Sequence, residues 1–119
     1  MKYVVGFFVL FSSMVSAGSL VCDGTVDKVA YHGNDKLMVK LSSMNNPVFF
    51  CNPNADWRVS GAEGRVMKAE TCKAVFSMFL SARTTKEFIS RVHFDGDNVP
   101  AGCDKFESWK NVFIRFIYY

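Results

Sequence analysis

Alternation of apolar and polar positions is clearest from Lys36 to Ser42, where Leu37, Val39 and Leu41 fall on one face and Met38, Lys40 and Ser42 on the other. A period of two marks a half-buried strand. Upstream, Val26, Val29 and Tyr31 fall out of simple alternation, which predicts a long first strand from Val21 to Tyr31 with a bend or bulge near Asp27-Lys28. His32-Gly33-Asn34-Asp35 supplies the turn between these strands. Met44-Asn45-Asn46-Pro47 ends the second strand, and Val48-Phe49-Phe50-Cys51 reads as a third, with Trp57-Arg58-Val59 as its candidate continuation.

Beyond Ser60-Gly61-Ala62-Glu63-Gly64 the period lengthens. Ala69, Cys72, Val75, Phe76, Phe79 and Leu80 take the i, i+3, i+4, i+7 spacings of one helical face, which predicts a helix from Lys68 to Arg83. Glu70 in its first turn and Arg83 in its last suit the helix dipole, while no N-cap side chain is evident. A fourth strand spans Glu87 to Phe94, and a fifth spans Val112 to Tyr119 with Val112, Ile114, Phe116 and Tyr118 on one face. The long connection between them holds Asp95-Gly96-Asp97-Asn98-Val99-Pro100 and Ala101-Gly102-Cys103.

The resulting order, β-β-β-α-β-β, predicts a β-rich α+β fold: an OB-like five-stranded Greek-key barrel with one helix between strands 3 and 4. A long bent first strand is what a barrel strand pairing on both edges requires. The rival is an open α+β sheet with the helix on one face.

The N-terminus follows different rules. Lys2 precedes an apolar run from Val4 to Val15, interrupted only by Gly6, Ser12 and Ser13, and Val15-Ser16-Ala17 places small residues at the −3 and −1 positions. This is the layout of a bacterial Sec signal peptide, residues 1–17, leaving residues 18–119 as a single domain. The run is too short to span a bilayer, which takes roughly 20 apolar residues. The expected location is therefore secreted or periplasmic, without stable membrane insertion.

Composition narrows the partners. The formal charge is +3 with signs interspersed, which suits a solvated surface and argues against nucleic acid. All four cysteines, Cys22, Cys51, Cys72 and Cys103, follow the leader, so an oxidising compartment makes two disulfides the expectation. No C-x-x-C pair exists to favour zinc. Sequence leaves three connectivities open. In an OB barrel Cys22 and Cys51 lie at opposite ends, and the expected pairs are Cys51 with Cys103 and Cys22 with Cys72.

Catalytic chemistry has few candidates. His32 lies in a turn signal and His93 on the outer phase of a strand, and no activated-nucleophile motif is present. Asp95-Gly96-Asp97 begins like a calcium loop, but Pro100 stands where the EF-hand needs Gly and Phe106 where it needs Glu. No metal or other cofactor is expected. Phe49, Phe50, Phe76, Phe79, Phe88, Phe94, Phe113 and Phe116 have core spacings, whereas Trp57, Trp109, Tyr118 and Tyr119 lie in loops or at a strand end. An exposed Trp or Tyr can stack on a sugar or anchor a protein while its N–H or O–H reaches a polar partner.

The leader, the stretch Cys51-Asn52-Pro53-Asn54-Ala55-Asp56-Trp57, the helix from Cys72 to Ala82 and the Cys103 loop together resemble small secreted proteins of marine and enteric proteobacteria. Their layout is similar to the OB-fold B subunits of pertussis-like and subtilase-type toxins. That resemblance implies a glycan-binding homo-oligomer, but no sugar-binding residue of those toxins maps onto this chain. The expected function is a non-enzymatic binding module for a glycan or protein, with Trp57, Trp109, Tyr118 and Tyr119 as binding candidates. The alternative is an inhibitor or structural interaction protein of the cell envelope.

Overall fold

A computed structural model describes residues 18–119 and the isolated Gly6; the expected leader lies outside the described residues. Six strands and one helix follow in the order β1 (Ser19–Gly24), β2 (Val26–Tyr31), β3 (Leu37–Leu41), β4 (Val48–Cys51), α1 (Ala69–Thr85), β5 (Ile89–Asp95) and β6 (Phe113–Tyr118), with a 3-10 turn at Cys103–Lys105. They form two antiparallel three-stranded sheets, β1-β5-β6 and β2-β3-β4. The expected β-rich α+β class holds, with six strands in two sheets rather than five in one closed barrel or a single open sheet. The sheets meet between β4 and the approach to β6 through one isolated parallel bridge, Phe49 to Asn111.

The sixth strand arises where the predicted long first strand breaks. Gly24 adopts φ +129°, and a Cβ there would stand 2.2 Å from Ser42 Oγ, so both the turn and the close approach require glycine. The expected bulge is present as well. Val26 pairs with Leu41 and Lys28 with Lys40, leaving Asp27 as the extra residue.

Strand β6 carries a further bulge that the alternation does not reveal. Phe94 pairs with Ile114 but His93 pairs with Phe116, so Arg115 is the unmatched residue. One extra residue exchanges the faces of everything beyond it. Ile114 therefore sits in the core while Phe116 and Tyr118 leave the face that the sequence pattern assigned to all three.

The core lies between the sheets and under α1. Leu37, Val39 and Leu41 are buried as their alternation predicts, but Met38 is buried too, because its face of the sheet is also covered. From the helix, Cys72, Phe79 and Ala82 are buried, and Phe79 meets Phe50 edge to face with centroids 5.2 Å apart. Leu80 and Phe88, both expected inside, are exposed; Phe88 precedes β5 and its pleat. Trp57-Arg58-Val59 forms no strand, only a bridge between Trp57 and Met67.

Both disulfides form, but in the third connectivity: Cys22 with Cys103 and Cys51 with Cys72. The expected partners are thus exchanged. Reciprocal hydrogen bonds between Trp57 and Met67, 2.9 and 3.0 Å, double the chain back after β4, so the first turn of α1 returns to Cys51. Because β1 pairs with β5, Cys22 instead faces the connection that leaves β5, where Cys103 lies.

Candidate functional site

Trp109 is 61% exposed and adopts φ +63°, the left-handed region that costs a residue with a Cβ about 1–2 kcal/mol. The surrounding connection holds it there. Its backbone N–H donates to Pro47 O at 2.9 Å, and Lys110 O and Val112 N bond to Phe49 on either side of the parallel bridge. Asn45 and Asn46 both donate to Phe106 O, while Phe106 N donates back to Asn45 Oδ1 at 2.7 Å. The backbone that carries the ring is thus pinned from both sides.

The second wall comes from the turn between β2 and β3. His32 N donates to Lys36 O and Asp35 N to His32 O, each at 2.9 Å, which brings His32 and Lys36 together across the turn. The His32 ring stands edge-on to Phe49 at 4.8 Å and to Trp109 at 5.4 Å. Lys36 Nζ lies 5.2 Å from the Phe49 centroid and 6.0 Å from Trp57, and it donates to Asn111 Oδ1 at 3.3 Å. In the same turn the Tyr31 hydroxyl donates to Asp35, whose carboxylate raises the Tyr31 pKa above its ordinary value. The exposed indole thus meets the His32 imidazole, and the same turn carries the Lys36 ammonium, the Asp35 carboxylate and the Tyr31 phenol. This set can stack on an apolar ring face and hydrogen-bond its polar rim.

The four aromatic candidates do not converge. Trp57 is only 6% exposed, and its Nε1–H donates to Val112 O at 2.9 Å, so its polar tip is consumed inside the molecule. It is a packing residue, which corrects the expectation of an exposed binding ring. Tyr118 extends an aromatic row on the outer side of the β1-β5-β6 sheet, with Phe116 5.0 Å away and His93 4.9 Å beyond. The Tyr119 hydroxyl donates to Met78 O in α1 at 2.7 Å. Strand β6 separates Trp109 from Tyr119 by roughly 20 Å at the rise of an extended chain.

Sequence reasoning missed His32, Lys36 and Asn111 as members of this group. The turn signal Gly33-Asn34-Asp35 does place His32 and Lys36 at the two strand ends flanking it. Nothing local connects them to Trp109 and Asn111, more than 70 positions away.

Ser19, His93 and Asp95 also gather, but not in the arrangement of a Ser-His-Asp relay. Ser19 Oγ lies 2.6 Å and Asp95 Oδ1 3.2 Å from the same atom, His93 Nε2. A Ser-His-Asp triad needs the hydroxyl and the carboxylate on opposite ring nitrogens. Asp95, buried, is instead held in a bidentate pair by Arg115 at 2.8 and 3.1 Å, with Arg65 at 3.7 Å. Such a network fastens the start of β1 to β5 and β6. Among the described residues no cluster of three or more His, Cys, Asp or Glu side chains could hold a metal. The Asp97 carboxylate accepts from Ser60 Oγ at 2.9 Å.

No protein family, curated protein or solved structure matches this chain. Its site is therefore read from its own geometry.

Proposed function

We propose that the chain is a secreted, non-enzymatic binding module that recognises a glycan at Trp109, with His32, Lys36, Tyr31 and Asp35 as the polar rim. The observation that carries the reading is Trp109 itself: a large apolar ring held exposed in a costly backbone conformation and buttressed by His32. A ring that only filled space would sit buried, as Trp57 does. Two disulfides fit an oxidising compartment, and among the described residues no helix is long and apolar enough to cross a membrane.

The strand order supports an OB-type arrangement as the scaffold. If β1 and β2 are counted as one bent strand, each sheet is entered through it, and the Phe49–Asn111 bridge lies where the circuit returns. The platform then occupies one end of the circuit, built from the first hairpin and the last long loop.

Glycan-array screening and Trp fluorescence test this reading. Wild-type protein is expected to select glycans and to shift its exposed-Trp emission on binding. Trp109→Gly keeps the left-handed backbone without strain, so the fold is expected to persist while binding is lost. Unchanged binding by that variant, or no glycan selected by the wild type, would overturn the proposal. The second reading, docking of an envelope protein, rests on Val21, Phe116 and Tyr118 along the outer side of the β1-β5-β6 sheet. It predicts a stoichiometric protein partner that Tyr118→Ala releases and Trp109→Gly retains.

A further inference from the structure

A second feature lies at the other end of β2, roughly 20 Å from the Trp109 platform at the rise of an extended strand. The bend between β1 and β2 and the end of α1 enclose a cleft of about 340 Å³ lined by Thr25, Val26, Asp27, Arg83 and Lys86. Small-molecule sites begin at about 300 Å³, so this cleft has room for one small ligand. The depression between Asp97 and Glu107, about 210 Å³, falls below that range.

We propose that this cleft binds a tetrahedral oxyanion, a sulfate or phosphate group either free or esterified to a sugar. Arg83 offers the planar fork that grips two oxygens of such a group, and Lys86 adds a point charge. Neither takes part in an ion pair among the described residues. The one carboxylate in the cleft, Asp27, is neutralised by Lys40 Nζ at 2.9 Å. Two cations therefore remain uncompensated. Thr25 completes the lining, its backbone tied to Ser42 at 3.1 Å through N–H and 2.8 Å through the carbonyl.

The backbone of Lys86 carries a second observation. It is the C-cap of α1 at φ +57°, a position that glycine fills without strain in most helices. A lysine lines the cleft here despite the steric cost. The helix C-terminus opposes an anion with about half a negative charge. Two of its terminal carbonyls, however, are covered: Ala82 O accepts from Glu87 N at 3.0 Å and Arg83 O from Lys86 N at 3.4 Å. Two full positive charges outweigh the remaining dipole.

Calorimetric titration of the oxidised protein with inorganic sulfate, inorganic phosphate and a monosaccharide sulfate tests the site. Saturable binding is expected, weakened about tenfold or more by Arg83→Gln and by Lys86→Gly, as the loss of a hydrogen bond to a charged group predicts. Lys86→Gly removes the left-handed strain, so its Tm is expected to hold or rise and a folding defect cannot mimic lost binding. Lys73→Gln, which alters net charge equally but lies elsewhere on α1, is expected to leave the affinity unchanged. Tighter binding of the monosaccharide sulfate than of inorganic sulfate assigns the group to a sugar, and equal affinity assigns it to the free anion. No saturable binding, or an equal loss in Lys73→Gln, would overturn the proposal. The glycan screen at Trp109 is independent, so failure of one site leaves the other standing.

Discussion

Gly24 and Gly33 illustrate how differently two glycines constrain one chain. A Cβ on Gly24 would collide with Ser42 Oγ and occupy φ +129°, whereas a Cβ on Gly33 would meet nothing within 4 Å. Gly24→Ala is therefore expected to destabilise by about 1–3 kcal/mol, the range for a strained backbone position. Gly33→Ala should stay within about 0.5 kcal/mol, as surface changes do. Chemical denaturation of the two variants measures the contrast. Tyr119 makes a prediction of a different kind. Loss of solvent around its phenol, and then the nearby Glu87 charge, raise its pKa above 10.0. A group whose folded pKa is raised favours folding while protonated. Its contribution is thus complete below pH 10.0, the ordinary tyrosine value, and is lost as pH rises through the folded value. Tyr119→Phe is expected to cost about 0.5 kcal/mol at neutral pH, the low end for a half-exposed hydrogen bond, and to remove a late step from the alkaline tyrosinate absorbance titration.

At the level of elements, the two disulfides differ in access more than in chemistry. Cys51 and Cys72 are fully buried, while Cys103 is partly open to solvent. Thiol–disulfide exchange needs an attacking thiolate to reach sulfur. Partial reduction followed by alkylation is therefore expected to label Cys22 and Cys103 first; early labelling of Cys51 and Cys72 would contradict this. The same elements show what the sequence makes legible. Alternation in β3, the helical period of α1, the bulge at Asp27 and the missing N-cap are all local, and each was readable from a few neighbouring residues. The bulge at Arg115 was not, because only the partner strand defines an unmatched residue. Nor was the cysteine pairing, which depends on the Trp57–Met67 bridge turning the chain back on itself.

For the whole molecule, the platform shows the same limit on a larger scale. Trp109 could be nominated from its loop setting, and Tyr118 is indeed exposed, but burial of Trp57 depends on a hydrogen bond to Val112 across the fold. His32 and Lys36 gain their relation to Trp109 only once residues 96–112 pack against the first hairpin. A site assembled from both ends of a chain is invisible to any window that slides along it.

The pairing of Cys22 with Cys103 around Cys51 with Cys72 also bears on the order in which the molecule can be made. The bridges are nested, spanning 81 and 21 positions. A chain emerging from its N-terminus exposes Cys22 and then Cys51 before either native partner appears, and long before Cys103. Oxidation at that moment would join two cysteines that the finished fold keeps apart. The inner bridge can close as soon as α1 emerges, but Cys22 must wait as a free thiol until nearly the whole chain is present. Rapid oxidation thus works against this topology, and a catalyst that reshuffles bonds serves it better than one that only forms them.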